Sequence, residues 1–398
     1  MTGNINLVHL KSISHSCRLD EMFTPGAAEK VRAFHATIPG YEPTPLVSLQ
    51  NLADSLGLRS FHVKDESYRF GLSAFKCLGG SWCIANYIAE RLGISESDIT
   101  FGRLTREDVH RNMRGIKFVT ATDGNHGRGI AWTASRLGLG SVVFMPAGTA
   151  KERLKNIQAL GSEASVTNLN YDNTVQHAKY FAESHGWPWM QDTAFSGYED
   201  IPLRIMQGYL TMAIEAAESL AEAPTHIFLQ AGVGSMAGAL SSFFANYYRD
   251  KPIITIIEPN KADCIFRTAR ANDGKLHAVT GNLDTIMAGL ACGIPCTVAW
   301  ELLKSHAENY ISMPDYVAAE GMRVLGNPLG NDGRIISGES GASTAGFVYE
   351  LMRNDALDHI RKTLKVDGHS RVLCISTEGD TDRENYRRIV WDGVYPGY

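Results

Sequence analysis

Lys76 stands in RFGLSAFKCLGG (69–80), among Phe75, Ala74, Leu78 and Gly79 and near the start of an expected helix. A lysine in apolar surroundings loses part of its preference for charge and becomes a better amine nucleophile. Cofactors that carry an aldehyde use such an amine to form a Schiff base. The plainer alternative is a helix lysine whose stem covers apolar surface while its head reaches water. A second stretch, VTATDGNHGRG (119–129), ends a β-branched run in glycines and opens the helix GIAWTASRLG. Thr122, Gly124 and Asn125 offer hydroxyl, backbone and amide donors suited to a carboxylate or a phenolate oxygen. Asp123 is the odd member, a carboxylate in a turn of donors. Capping the helix is its simplest role, because aspartate accepts hydrogen bonds well there. In a third stretch, LQAGVGSMAGAL (229–240), a strand ends at Ala231, Gly232 and Gly234 follow, and a helix begins with small residues. Backbone N–H groups and the helix dipole cradle phosphate at such a turn. The spacing Gly232-x-Gly234-x-x-x-Gly238, with Glu258 ending the next strand, is close to a dinucleotide fingerprint. A nicotinamide oxidoreductase is therefore a rival reading, and a tight turn without ligand is another.

The elements that must position these residues alternate along the chain. Short β-branched runs are expected as strands at 61–64, 117–122, 141–146, 163–169, 188–192, 226–231, 253–258 and 371–377, with helical patterns between them and a helix from about 74 to 92. Such alternation predicts right-handed βαβ units and parallel sheets. The four runs within 117–192 form a compact group, and those at 61–64 and from 226 onward could build a second sheet. The expected organisation is a large domain of 1–81 and 189–398 with a smaller inserted domain of 82–188. Ligands of α/β domains bind at strand carboxyl ends, in the cleft such an insertion leaves.

Composition narrows the class of function. The chain has 398 residues, 44% of them hydrophobic and 20% charged, as in an ordinary globular protein. A net charge of -5 argues against a nucleic-acid partner. No apolar run has a membrane span's length, and the N-terminal residues carry no secretory pattern, so a cytoplasmic location is expected. Seven scattered cysteines read as reduced core residues. Cys292 and Cys296 lack a second ligand pair at zinc spacing, so no metal is expected. A disulfide involving Cys264 or Cys292 cannot be assigned from sequence.

Taken together, Lys76, the DGNHG turn and the later glycine-rich turn resemble the fold-type II pyridoxal-phosphate enzymes, a superfamily that includes serine and threonine dehydratases, serine racemase and cysteine synthase. YEPTPL (41–46), VKDES (63–67), MQGY (206–209) and SGESGA (337–342) extend the resemblance over residues 40 to 380. A narrower resemblance is to the ammonia-lyases of this superfamily that act on 2,3-diaminopropionate. It is carried by KDESYRFGLSAFK, TDGNHGRG, MQDTAFSGY, QAGVGSMAG, EPNKADC, IMAGLACG, GMRVLGNP, RIISGESGA and ISTEGDTD. Typical dehydratases have serine where Asp123 stands.

The resemblance implies two open twisted α/β domains with the active site in the cleft between them, and a homodimer. It implies pyridoxal 5'-phosphate held by Lys76, with the phosphate on Gly232, Val233, Gly234, Ser235 and Met236. Asn125 would partner the ring hydroxyl oxygen, and Ser376, with Thr377 as the alternative, the ring nitrogen. The substrate, an amino acid, would set its carboxylate on Thr122, Asp123, Gly124 and Asn125. The reaction implied is elimination of both enantiomers of 2,3-diaminopropionate to pyruvate and two ammonia. Two enantiomers call for a base on each face of the cofactor, and Asp123 and Asp192 are the acids at expected strand ends. Asp123 is assigned to the D-isomer and Asp192 to the L-isomer, with Lys76 as helper; capping a following helix is the simpler role for Asp192. Dehydratases and β-replacement synthases of the same fold are the nearest alternatives, but their substrates do not call for two additional carboxylates. The nicotinamide reading leaves Lys76 and DGNHG without a task.

Overall fold

The structure, a computed structural model, describes residues 4–397 apart from 12, 13 and 123. The chain divides into two compact units, one of Met1–Pro25, Pro43–Phe75 and Met212–Tyr398, the other of Gly26–Glu42 and Lys76–Thr211. The α/β architecture agrees with the sequence reading. The first unit holds a seven-stranded sheet of β1 (Asn6–His9), β2 (Leu46–Ser48), β3 (Ser60–Asp65), β7 (His226–Gln230), β8 (Ile253–Pro259), β9 (Asn309–Met313) and β10 (Arg371–Ser376), in the order β1-β9-β8-β7-β10-β3-β2. Its centre is parallel, and only the short edge strands β1 and β2 run antiparallel to their neighbours. The second unit holds a parallel sheet of β4 (Lys117–Ala121), β5 (Gly140–Met145) and β6 (Glu163–Val166). The strand expected at 188–192 reduces to a single bridge between Trp189 and Val119. The three strands that were not anticipated, β1, β2 and β9, are short or carry too many polar residues to show a β-branched run.

Central strands here are covered on both faces, so they read as continuous apolar runs rather than alternating ones. All five residues of β7, HIFLQ, are buried. In the first unit, Phe61, Val63, Phe228, Ile257, Ile311, Val372 and Phe347 share one core. Two glycines let helices approach closely in the second unit. Helix α1 (Lys76–Leu92) packs on α2 (Asn125–Arg136) and α3 (Asp200–Gly208). A methyl group on Gly79 would lie 2.6 Å from the Tyr209 ring and 2.8 Å from the Ile205 carbonyl. One on Gly129 would lie 2.9 Å from the Cys77 nitrogen and 3.0 Å from the Lys76 carbonyl carbon. The smaller unit thus takes in 76–81 and 189–211 as well as Gly26–Glu42, so its boundaries at 25/26, 42/43, 75/76 and 211/212 differ from the anticipated 81/82 and 188/189. The Gly129→Ala variant is expected to lose about 1–3 kcal/mol of stability by overpacking, measurable by urea denaturation.

Candidate active site

The helix bearing Lys76 begins at that residue, two positions later than expected. Residues 73–75 are diverted into a short ladder beyond the end of β10, where the Gly379 N–H donates to the Ser73 carbonyl at 2.9 Å and the Phe75 N–H to the Thr377 carbonyl at 3.2 Å. Ser73 pays for the diversion with a φ of +53°, in the left-handed region. The residue before Lys76 is thereby tied to Thr377.

Within the second unit, Lys76 Nζ donates to Asp192 Oδ2 at 2.6 Å. A carboxylate thus faces the lysine, although its neighbours in sequence are apolar. Asp192 is buried, and no helix begins until Asp200, so the capping role has no helix to serve. His126, also buried, sets Nε2 against the Met190 carbonyl at 2.7 Å, which requires that nitrogen to carry the proton. Its Nδ1 then faces Asp192 Oδ2 at 3.8 Å. Gln191 Nε2 lies 3.4 Å from the other oxygen, Oδ1. Burial alone would raise the Asp192 pKa, but the charges of His126 and Lys76 outweigh it and hold the group at about 2. A carboxylate depressed below its unfolded value adds stability above that value and loses it as pH falls towards the folded one. The thermal midpoint of the native chain is therefore expected to fall more steeply than that of Asp192→Asn as pH drops from about 5 to about 2.

Thr122, at the carboxyl end of β4, accepts from the Gly124 N–H at 2.9 Å, which closes the turn before α2. Asn125 is the first residue of that helix. Asp123 lies outside the described residues. The turn, Lys76, His126 and Asp192 all belong to the second unit.

The first unit supplies the other candidates. Gly234 has φ +95°, a conformation that favours glycine, and α4 (Ser235–Tyr247) starts immediately after it. A side chain at Gly232 would meet Cys292 Sγ at 3.1 Å and the Leu290 Cα at 3.2 Å. Ser235 and Met236 are buried in the first turn of α4. The N–H groups of Val233, Gly234 and Met236 make no hydrogen bond among the described residues, so they are open donors at the positive end of a 13-residue helix. Those open donors, with glycines where a side chain would be crowded or strained, suit a phosphate group.

Ser376 and Thr377 differ sharply in their surroundings. Ser376 Oγ donates to Ser337 Oγ at 2.8 Å and is fully buried at the end of β10. Thr377 Oγ1 accepts from Gln230 Nε2 at 3.1 Å. Glu258, the acid on which the nicotinamide reading depended, is committed elsewhere. It is buried and accepts from the N–H groups of Ile265 at 2.9 Å and Phe266 at 2.6 Å, capping the helix Cys264–Ala271. A ribose hydroxyl would have to displace both. Among the described residues no two cysteines form a disulfide, Cys264 and Cys292 included.

Three neighbours of the candidate residues were not assigned roles from sequence. His126 was visible in DGNHG without a partner to define it, whereas Gln230 and Gln191 were submerged in strand-like runs.

A lysine at a helix start, a donor turn after one strand and an open phosphate cradle after another define a class. The chain matches the model of the pyridoxal-phosphate dependent enzymes over residues 37–377 and belongs to that family. Its cofactor is pyridoxal 5'-phosphate. Among its relatives, the diaminopropionate ammonia-lyase of Salmonella typhimurium is 47% identical over 370 residues, 92% of each chain. That of Escherichia coli K12 is 47% identical over 380 residues, 94% of each chain. The crystal structure of the E. coli enzyme in complex with D-serine superposes with a TM-score of 0.92 at 43% identity, over 99% of this chain and 98% of that one. A further E. coli structure, described as a complex with an aminoacrylate-PLP azomethine reaction intermediate, gives 0.90 at 44%, over 98% of both chains. Threonine deaminase isoform 2 of Solanum lycopersicum, at 17% identity and a TM-score of 0.71 over 98% of this chain and 100% of that one, shares the fold. Among the described residues no helix is long and apolar enough to cross a membrane.

Proposed function

We propose that this chain eliminates both amino groups of 2,3-diaminopropionate, from the D- and the L-isomer, to give pyruvate and two ammonia. The observation that carries the reading is a buried carboxylate, Asp192, in a 2.6 Å ion pair with the lysine at the head of α1. A base kept ionised beside the amine that holds the cofactor is what removal of an α-proton requires.

Lys76 is the residue that holds the cofactor by its amine. The N–H groups of Val233, Gly234 and Met236, with Gly232 and Ser235, receive the phosphate. Asn125 partners the ring hydroxyl oxygen. For the ring nitrogen, Thr377 is preferred over Ser376, because the Ser376 proton is already given to Ser337. Bound by these groups, pyridoxal phosphate supplies a sink for the electron pair left when the α-proton departs. Thr122, Gly124 and Asn125 dock the substrate carboxylate with uncharged donors. Asp192 takes the α-proton of the L-isomer and Asp123 that of the D-isomer.

With an ammonium beside it, Asp192 is a weak base. Engaging the Lys76 amine elsewhere removes one of the two charges that depress it, and its proton affinity climbs. The carboxylates serve a second purpose. Amide ion is a very poor leaving group, so the β-nitrogen must depart as ammonia from its protonated form, and a nearby carboxylate favours that form.

Elimination from a hydroxy amino acid is the second reading, supported by the D-serine complex of the E. coli relative. The test is to add each isomer of 2,3-diaminopropionate and of serine to purified protein and follow pyruvate. Diaminopropionate is expected to be the better substrate by kcat/KM. A preference for serine would reverse the assignment. We further propose that the chain acts in the cytoplasm as a homodimer, which sedimentation of the purified protein would test.

A further inference from the structure

Gln230 ends β7 immediately before the phosphate turn, and it is almost wholly buried. Its Nε2 lies 2.9 Å from the Ile375 carbonyl, 3.2 Å from the Ser340 carbonyl and 3.1 Å from Thr377 Oγ1. The two carbonyls can only accept, so the amide nitrogen and not its oxygen must face this corner. An amide NH2 carries no lone pair for a hydroxyl to use. The two amide protons are shared among these three acceptors; Thr377 can therefore meet Gln230 only as an acceptor, and its own proton must point elsewhere. Among the described residues no acceptor takes that proton, and the other hydroxyl at this strand end, Ser376, is already engaged with Ser337.

We infer that Gln230 is a positioning residue, which fixes the Thr377 hydroxyl as a donor toward the ring nitrogen of the cofactor and so keeps that nitrogen unprotonated. This rests on Thr377 being the ring-nitrogen partner. A ring N–H would take that oxygen's second lone pair and leave the threonine proton without an acceptor in a buried corner, an arrangement that costs free energy. Gln230 does not touch the reacting atoms. It acts by restricting one hydroxyl rotor.

The test is a double-mutant cycle of Gln230→Met and Thr377→Val in the cofactor-loaded protein. It is read by the pH dependence of the visible absorption of the bound cofactor, with kcat/KM as a second measure. The thermal midpoint of each cofactor-free variant reports stability separately. Each single variant is expected to shift the absorption titration and to lower kcat/KM about tenfold. The double variant should match Thr377→Val alone, because two residues acting through one hydrogen bond do not add. If Thr377→Val leaves the absorption titration unchanged, the assignment of Thr377 falls, and the inference with it. If Thr377→Val shifts it but Gln230→Met does not, or the two effects add, Thr377 stands and Gln230 has no positioning role. Should Gln230→Met fail to fold, Gln230→Glu keeps a polar group of the same shape while losing the two-proton donor, and it is held to the same outcomes.

Discussion

Lys76→Ala is expected to fold, to bind pyridoxal phosphate weakly, and to lower turnover of 2,3-diaminopropionate by at least about 10^4-fold. It should also lack the visible absorption of a lysine-linked cofactor. The reasoning is geometric. Lys76 opens α1, its preceding residue is fixed to Thr377 by a backbone hydrogen bond, and α2 packs so closely that a methyl group on Gly129 would lie 3.0 Å from the Lys76 carbonyl carbon. Every one of these restraints acts on the backbone, so removing the side chain leaves the helix in place. What disappears is the amine and the counter-charge of Asp192, whose pKa should then rise from about 2. A variant that kept the absorption band would show that another lysine holds the cofactor.

The second large effect is expected at the carboxylates. Asp192→Asn should lower kcat/KM for the L-isomer by about 10^2–10^4-fold, the usual contribution of a general base. The D-isomer should suffer far less. Asp123→Asn is expected to show the reverse preference. Asparagine keeps the shape of Asp192 and a hydrogen bond to Lys76, so a simple loss of packing would not discriminate between enantiomers. Equal losses for both isomers in both variants would remove the face-by-face assignment while leaving the cofactor reading untouched.

Much of this was legible in the residues themselves, for identifiable reasons. Central strands such as HIFLQ and RVLCIS are buried on both faces and so announce themselves as apolar runs. The glycine turn at 232–234 is visible because only glycine tolerates its geometry and its crowding. Edge strands β1 and β2 have one free side and few residues, and nothing in NLVH or LVS distinguishes them from loops. Long-range partnerships were the least accessible. Lys64, Glu66 and Arg69 are buried in an ion group with Glu215, which comes from a distant helix, and nothing in the local sequence marks that partner. The Lys76–Asp192 pair is of the same kind, since neither residue carries a local mark of the other. Unit boundaries depended on glycines that permit helix contact, a property invisible until the helices are paired.

The ratio of products formed from 2,3-diaminopropionate tests the central claim most directly. Purified protein with pyridoxal phosphate is incubated with the L-isomer, and pyruvate and ammonia are both quantified at completion. One pyruvate and two ammonia per molecule consumed is the predicted result. Ammonia without pyruvate, or no consumption of either isomer by cofactor-loaded protein, would contradict it.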